Sequence, residues 1–196
     1  MRSEELSQGI SKLLKIKFKE DSNLITLADE VYLYRNFYDK KLIDDLTNRL
    51  NGFEENDWHQ HGNFEIGDHE NTFWGDKCSL DILNNEFHDK IFNFFSPNYW
   101  MYQHTNFVRL KQGQKSDLTD TNELLNKLID YKVSLYLGSF DGGAICFPEL
   151  FFKYKPEPND LLIFKSSYNH HTEEVTFGTR YAYMDYLVYH PGYFMP

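Results

Sequence analysis

The sequence predicts an α+β fold weighted towards β, in which helices near the start buttress a sandwich or barrel of short strands. Three observations carry this. Apolar residues recur at helical spacing only in the first half, at Leu6, Ile10, Leu13 and Leu14 and again at Leu42, Ile43, Leu46 and Leu50. After residue 104 the pattern changes to short segments of period two, separated by turn signals. The chain also carries 17 Phe and 14 Tyr, a supply of aromatic side chains that suits a pleated interior.

The 196 residues suffice for one domain with a core of its own and are too few for two. Lys15 to Lys19 alternates with period two and predicts a strand after the first helix, and Val31 to Arg35 predicts another. Asp39 then stands as an N-cap for the helix that carries Leu42 to Leu50. Residues 51–76 are polar and glycine-bearing, which predicts a long irregular loop, and a helix is expected over Phe87 to Phe95 before Pro97. Six strands follow in expectation: Thr105 to Leu110, Tyr131 to Leu137, Ala144 to Phe147, Phe151 to Lys155, Leu161 to Phe164 and Arg180 to Tyr189. Asp141-Gly142-Gly143 and Pro156-Glu157-Pro158-Asn159-Asp160 are the clearest turns between them.

Composition narrows the function classes. A net charge of −10 argues against a nucleic-acid partner, since phosphate binding rests on Lys and Arg. Residues 51–70 hold Glu54, Glu55, Asp57, Glu65, Asp68 and Glu70 without a Lys or Arg, a solvated acidic loop or a surface for a cationic or neutral partner. Cys78 and Cys146 are far apart and form no metal-like pair, so free thiols are expected. No apolar leader opens the sequence and no run of about 18 apolar residues occurs, so a cytoplasmic protein without a membrane partner is expected. Nothing in the sequence fixes the oligomeric state.

Chemistry concentrates in the run His170-His171-Thr172-Glu173-Glu174-Val175-Thr176-Phe177-Gly178-Thr179-Arg180, together with Leu135-Tyr136-Leu137, Gly142-Gly143, Phe147-Pro148-Glu149-Leu150 and the segment from Lys155-Pro156 to Phe164. In this order these texts resemble the prolyl 4-hydroxylase-like branch of the iron(II)- and 2-oxoglutarate-dependent dioxygenases, with Asn159 where a Gly usually precedes the Asp. The resemblance reaches, in layout, over roughly residues 30 to 190. It implies a double-stranded β-helix (jelly roll, cupin-like) domain at residues 31–196, buttressed by N-terminal helices, with 1–30 as an N-terminal extension. It also implies iron(II) as cofactor, 2-oxoglutarate as co-substrate, ascorbate as an optional accessory, and hydroxylation of a peptidyl or small-molecule C–H bond.

Residue by residue, the resemblance makes His170 the distal metal ligand, Arg180 the cation that holds the co-substrate's far carboxylate, and Tyr136 a hydrogen-bond donor to that carboxylate. Asp120 matches the carboxylate ligand, whereas Leu118 occupies the position of the first His ligand, where an alkyl group has no lone pair to offer. No catalytic group is implied beyond the metal ligands. The other class that fits is a catalytically impaired or non-catalytic binding module on the same fold. Asp117, His171 and His104 are substitute ligands on paper, and alternation along a strand sends Asp117 to the face opposite Asp120. Each site residue also has a structural reading: His170 as a satisfied histidine, Arg180 as half of a strand-edge ion pair, Tyr136 as core. His59, His61 and His69 read as a metal cluster or, better, as solvated loop; Trp58 and Trp74 read as part of a substrate lid.

Overall fold

The computed structural model describes residues 23–61, 64–67, 90, 94, 99–116 and 129–189; the N-terminal helix and strand expected over residues 6–19 lie outside them. Among the described residues, two antiparallel sheets face each other. The larger has eight strands: β1 (Leu24–Ala28), β2 (Val31–Tyr34), β3 (Trp58–His61), β4 (Phe64–Gly67), β5 (Tyr99–Lys111), β6 (Tyr131–Gly142), β9 (Leu161–Lys165) and β11 (Val175–Tyr189). Their spatial order is β1-β2-β9-β6-β11-β5-β4-β3. The smaller has the order β10-β7-β8, built from β7 (Ile145–Phe147), β8 (Phe152–Tyr154) and β10 (His171–Thr172).

One helix, α1 (Lys40–Asn51), covers the outer face of the large sheet. It starts where the sequence predicts: Asp39 has extended backbone and its Oδ1 accepts the Leu42 N–H at 2.9 Å, satisfying one of the orphan donors of the first turn. Ile43, Leu46 and Leu50 then fall on one side and pack against Val133, Leu135, Leu137, Tyr181 and Tyr183. Lys90 and Phe94, from the helix expected over 87–95, are both helical. No helix among the described residues is long and apolar enough to cross a membrane.

The central strands β6 and β11 run side by side, with Tyr136 opposite Ala182 and Gly138 opposite Arg180. Both run longer than expected, because residues 138–142 of β6 and 175–179 of β11 pair with one another beyond the covered part of the sheet. The turn before β9 is fixed as its composition requires. Asn159 takes a left-handed φ of 74°, the conformation for which Asn substitutes for Gly, and its side chain bonds both the N–H and the carbonyl of Tyr38. The Asn159 N–H donates to Tyr136 O at 2.7 Å and the Tyr136 N–H to Asp160 O at 3.0 Å, so this turn also holds the middle of β6.

Residues 51–61 and 64–67 correct the expectation of an irregular loop. A 3-10 turn over Glu55–Asp57 leads into the β3–β4 hairpin, which joins the large sheet through Glu65 and Ile66 beside Arg109 and Val108. Trp58 is core and not lid: it is 6% exposed, tilts against Tyr181 at 5.6 Å and lies under the Arg109 guanidinium at 4.4 Å. His59 and His61 therefore stand on a strand, while His69 and Trp74 lie outside the described residues. Glu55, read as part of a solvated acidic loop, bonds Arg109 at 3.0 Å and Lys111. Strand β1, inside the stretch assigned to an extension, pairs with β2. Cys146 is a free thiol and Cys78 lies outside the described residues.

Candidate functional site

The site is the space between the sheets, and its floor is one face of β6. Alternation sends Val133, Leu135 and Leu137 towards α1 and sends Lys132, Ser134 and Tyr136 inwards. Across the ladder Lys132 stands beside Phe164, Ser134 beside Leu162 and Tyr136 beside Ala182. All three inward residues are buried, Lys132 to 6% exposure. Arg180 enters the same space from β11, two residues before Ala182, and His170 and Thr172 enter from the segment that becomes β10. The chain is shaped to admit the arginine: Gly143 has φ of 62°, and a Cβ there would meet Arg180 Cδ at 3.1 Å and Val175 at 3.2 Å.

The structure thus brings His170, Arg180 and Tyr136 together between the two sheets. The Arg180 guanidinium lies 4.7 Å from the Tyr136 ring centroid and donates from Nη1 to Thr172 Oγ1 at 3.2 Å. Its Nε and the Tyr136 hydroxyl are both buried without a hydrogen bond of good geometry. Burial pushes the Tyr136 hydroxyl's pKa up, and the adjacent guanidinium and Ser134 pull against that change. Burial likewise draws down the pKa of Arg180. A buried cation with an orphan N–H beside an orphan O–H is a socket for an anion with several acceptor atoms, and a carboxylate matches it.

His170 is held as a neutral ring. It packs on Phe164, centroids 4.9 Å apart, and on Phe147 at 6.2 Å, while Nδ1 donates to the Tyr168 carbonyl at 3.1 Å. That bond places the proton on Nδ1 and leaves the Nε2 lone pair available, the arrangement that metal-binding imidazoles use. Burial, and next the positive charge of Lys132, bring its pKa down to about 3.

His171 alternates to the opposite face and is only half-buried, which removes it as a substitute ligand. Asp117, Leu118 and Asp120 lie outside the described residues; Ser116, just before them, bridges Thr172 through N–H to O at 3.2 Å and Oγ from Thr172 N–H at 2.8 Å. His104 stands on β5, and its side chain lies outside what the structure describes.

The two implied groups fare differently here. The socket fits 2-oxoglutarate's far carboxylate. An iron centre is not built by the described residues alone: they contain no group of three or more His, Cys, Asp or Glu that could hold a metal, and His170 contributes one imidazole to the space.

Lys132 is the buried charged residue that sequence reasoning misses. No motif singles it out, and a Lys alternating with Val and Leu on a strand reads as solvent-facing. The signal lay in the phase, since Lys132, Ser134 and Tyr136 share one face.

No family model and no curated protein matches the chain. Solved structures do. An oxidoreductase of the 2OG-Fe(II) oxygenase family from Burkholderia pseudomallei superposes with a TM-score of 0.60 at 12% identity, covering 83% of this chain and 85% of that one. A prolyl hydroxylase from Trichoplax adhaerens, in complex with a hypoxia-inducible-factor oxygen degradation domain peptide, gives 0.58 at 15% identity over 95% and 93%. The viral collagen prolyl hydroxylase of Paramecium bursaria Chlorella virus-1, in its 2-oxoglutarate complex, gives 0.56 at 17% over 85% and 100%. The chain therefore carries the double-stranded β-helix fold of these oxygenase structures.

Proposed function

We propose that the protein binds 2-oxoglutarate or a closely related dicarboxylate inside its β-helix, with Arg180 and Tyr136 holding one carboxylate. The observation that carries this reading is the pair of orphaned buried polar atoms, Arg180 Nε and Tyr136 Oη, in a space already furnished with a guanidinium. Leaving such groups unpaired costs stability, and an anion that takes both recovers it. Arg180 supplies the charge and Thr172 braces its guanidinium; Tyr136 supplies a directed O–H. The test is thermal: 2-oxoglutarate at about 100 times its dissociation constant adds ~2.7 kcal/mol to the folded state. The melting temperature should rise by several degrees for the wild type and stay unmoved for Arg180→Ala.

A second reading is favoured by the tautomer of His170: iron(II)- and 2-oxoglutarate-dependent hydroxylation of a peptidyl or small-molecule C–H bond. It needs Asp120 as the second protein ligand and a donor that Leu118 does not supply, so wild-type iron affinity and turnover should both be weak. On this reading Leu118→His completes a facial triad and raises iron(II) affinity at least ~10-fold, measured by titration, with succinate release appearing alongside. Stoichiometric iron and rapid turnover in the wild type would show that a third ligand exists elsewhere.

A further inference from the structure

Arg180 is steered from two sides. Gly143 lies against its stem, where a Cβ would meet Cδ at 3.1 Å, and Thr172 Oγ1 accepts from Nη1 at 3.2 Å. A guanidinium is a rigid planar fork, so engaging Nη1 fixes the direction of the other N–H groups. The Nε–Nη2 edge, a pair of parallel donors, is what remains for a carboxylate, and Nε is buried there without a partner. Thr172 thus decides which edge of the arginine the socket presents.

Thr172 is itself held on both sides. In the small sheet it pairs with Ile145 of β7, and on its other edge it bridges Ser116. The Ser116 N–H donates to the Thr172 carbonyl at 3.2 Å, and the Thr172 N–H donates to Ser116 Oγ at 2.8 Å, so the serine side chain supplies the acceptor for that buried N–H. With Thr172 only 7% exposed, removing the oxygen would leave the N–H little recourse to water. The strap that delivers Ser116 runs along the His170–Arg180 segment. Gln112 N–H donates to Gly178 O at 2.9 Å, Gly113 N–H to Val175 O at 2.8 Å, and Val175 N–H to Gln114 O at 2.9 Å. Ser116 makes its hydrogen bonds to Thr172, and Thr172 makes the one to the guanidinium.

We propose that Thr172 and Ser116 are positioning residues of the socket: Thr172 fixes the guanidinium so that its Nε–Nη2 edge meets the carboxylate side-on, and Ser116 acts on the arginine through Thr172. The inference rests on the dicarboxylate reading of Arg180 and adds to it the two residues that orient the arginine before a ligand arrives. A long side chain already held in its bound conformation loses less entropy on binding, and the affinity gains by that amount.

The experiment is calorimetric titration of the full chain with 2-oxoglutarate, in EDTA and again with manganese(II), for wild type, Thr172→Val, Thr172→Ser, Ser116→Ala and the double variant Ser116→Ala/Thr172→Val. Melting curves report whether each variant folds, and Thr172→Ala stands in where the valine does not. Thr172→Val keeps the shape and loses the hydroxyl, so it should weaken binding ~10-fold, whereas Thr172→Ser should stay within ~2-fold of wild type. Ser116→Ala should weaken binding ~3-fold by itself and by less than ~1.5-fold in the Thr172→Val background, because it acts through the hydroxyl already lost. A general packing defect would add its effect in both backgrounds. Wild-type affinity in Thr172→Val or in Ser116→Ala overturns the proposal, and so does a Ser116→Ala loss that multiplies in full with that of Thr172→Val. In any of these cases an Arg180→Ala variant that no longer binds leaves the socket standing. Absence of 2-oxoglutarate binding to wild type in either buffer overturns both.

Discussion

The two faces of β6 are both buried, and they are built from opposite materials. The face towards α1 is Val133, Leu135 and Leu137, each fully enclosed among aliphatic and aromatic neighbours. The face towards the small sheet is Lys132, Ser134 and Tyr136, nearly as enclosed and carrying a charge and two hydroxyls. The first face lowers the free energy of the fold by removing apolar area from water. The second raises it, because taking a charge and hydroxyls out of water is costly and the Tyr136 hydroxyl is buried without a partner. A strand of this kind separates what holds the molecule together from what the molecule holds.

The comparison breaks most visibly on the apolar face. Leu135→Ala should destabilise the protein by ~3 kcal/mol, measured by denaturant unfolding, since it leaves a cavity between the large sheet and α1. It should leave the affinity for a dicarboxylate little changed.

On the polar face the sign reverses. Lys132 has its folded pKa depressed by burial from 10.5 to about 8, so the folded state disfavours its charged form. The unfolded chain then binds more protons between those values, and stability rises with pH across that window. Below pH 8 the penalty is fully present. Lys132→Met should therefore stabilise the unliganded protein at pH 7 by up to ~3 kcal/mol, since each tenfold loss of proton affinity on folding is worth about 1.36 kcal/mol. The gain should fade as pH approaches 10.5; a gain independent of pH would mean that packing, and not charge, is what the substitution changes.

The smallest effect sharpens the contrast within a single residue. Tyr136→Phe removes a hydroxyl that has no partner of its own, so folding stability should hold or rise by up to ~1 kcal/mol. Affinity for 2-oxoglutarate should fall ~10-fold, as expected for one hydrogen bond to a charged group.

Much of the scaffold is legible in the sequence for local reasons. The spacing of Leu42, Ile43, Leu46 and Leu50 behind Asp39 is a property of one helix and its cap, and Asn159 announces its left-handed turn without reference to anything distant. The β3–β4 hairpin is not legible, because its Trp58–His61 and Phe64–Gly67 strands sit in a polar tract with little β-branched character and are held by non-local pairing with β5. At the site, the run from His170 to Arg180 resembles a known family text, and the fold brings both ends of it to Tyr136. Lys132 escaped because alternation alone cannot tell a strand with one wet face from a strand whose polar face is roofed by a second sheet. That roof is tertiary, made by β7 and the His170 segment, and no local pattern on β6 encodes it.

The socket itself is tested most directly by titrating 2-oxoglutarate calorimetrically into the wild-type chain and into Arg180→Ala, with melting curves to confirm that both fold. Removing one member of a buried charge pair typically costs about 2 to 5 kcal/mol, so the variant should bind ~100-fold more weakly or not measurably. Equal affinity in the two proteins would contradict the account, because the dicarboxylate would then be bound somewhere other than between the sheets.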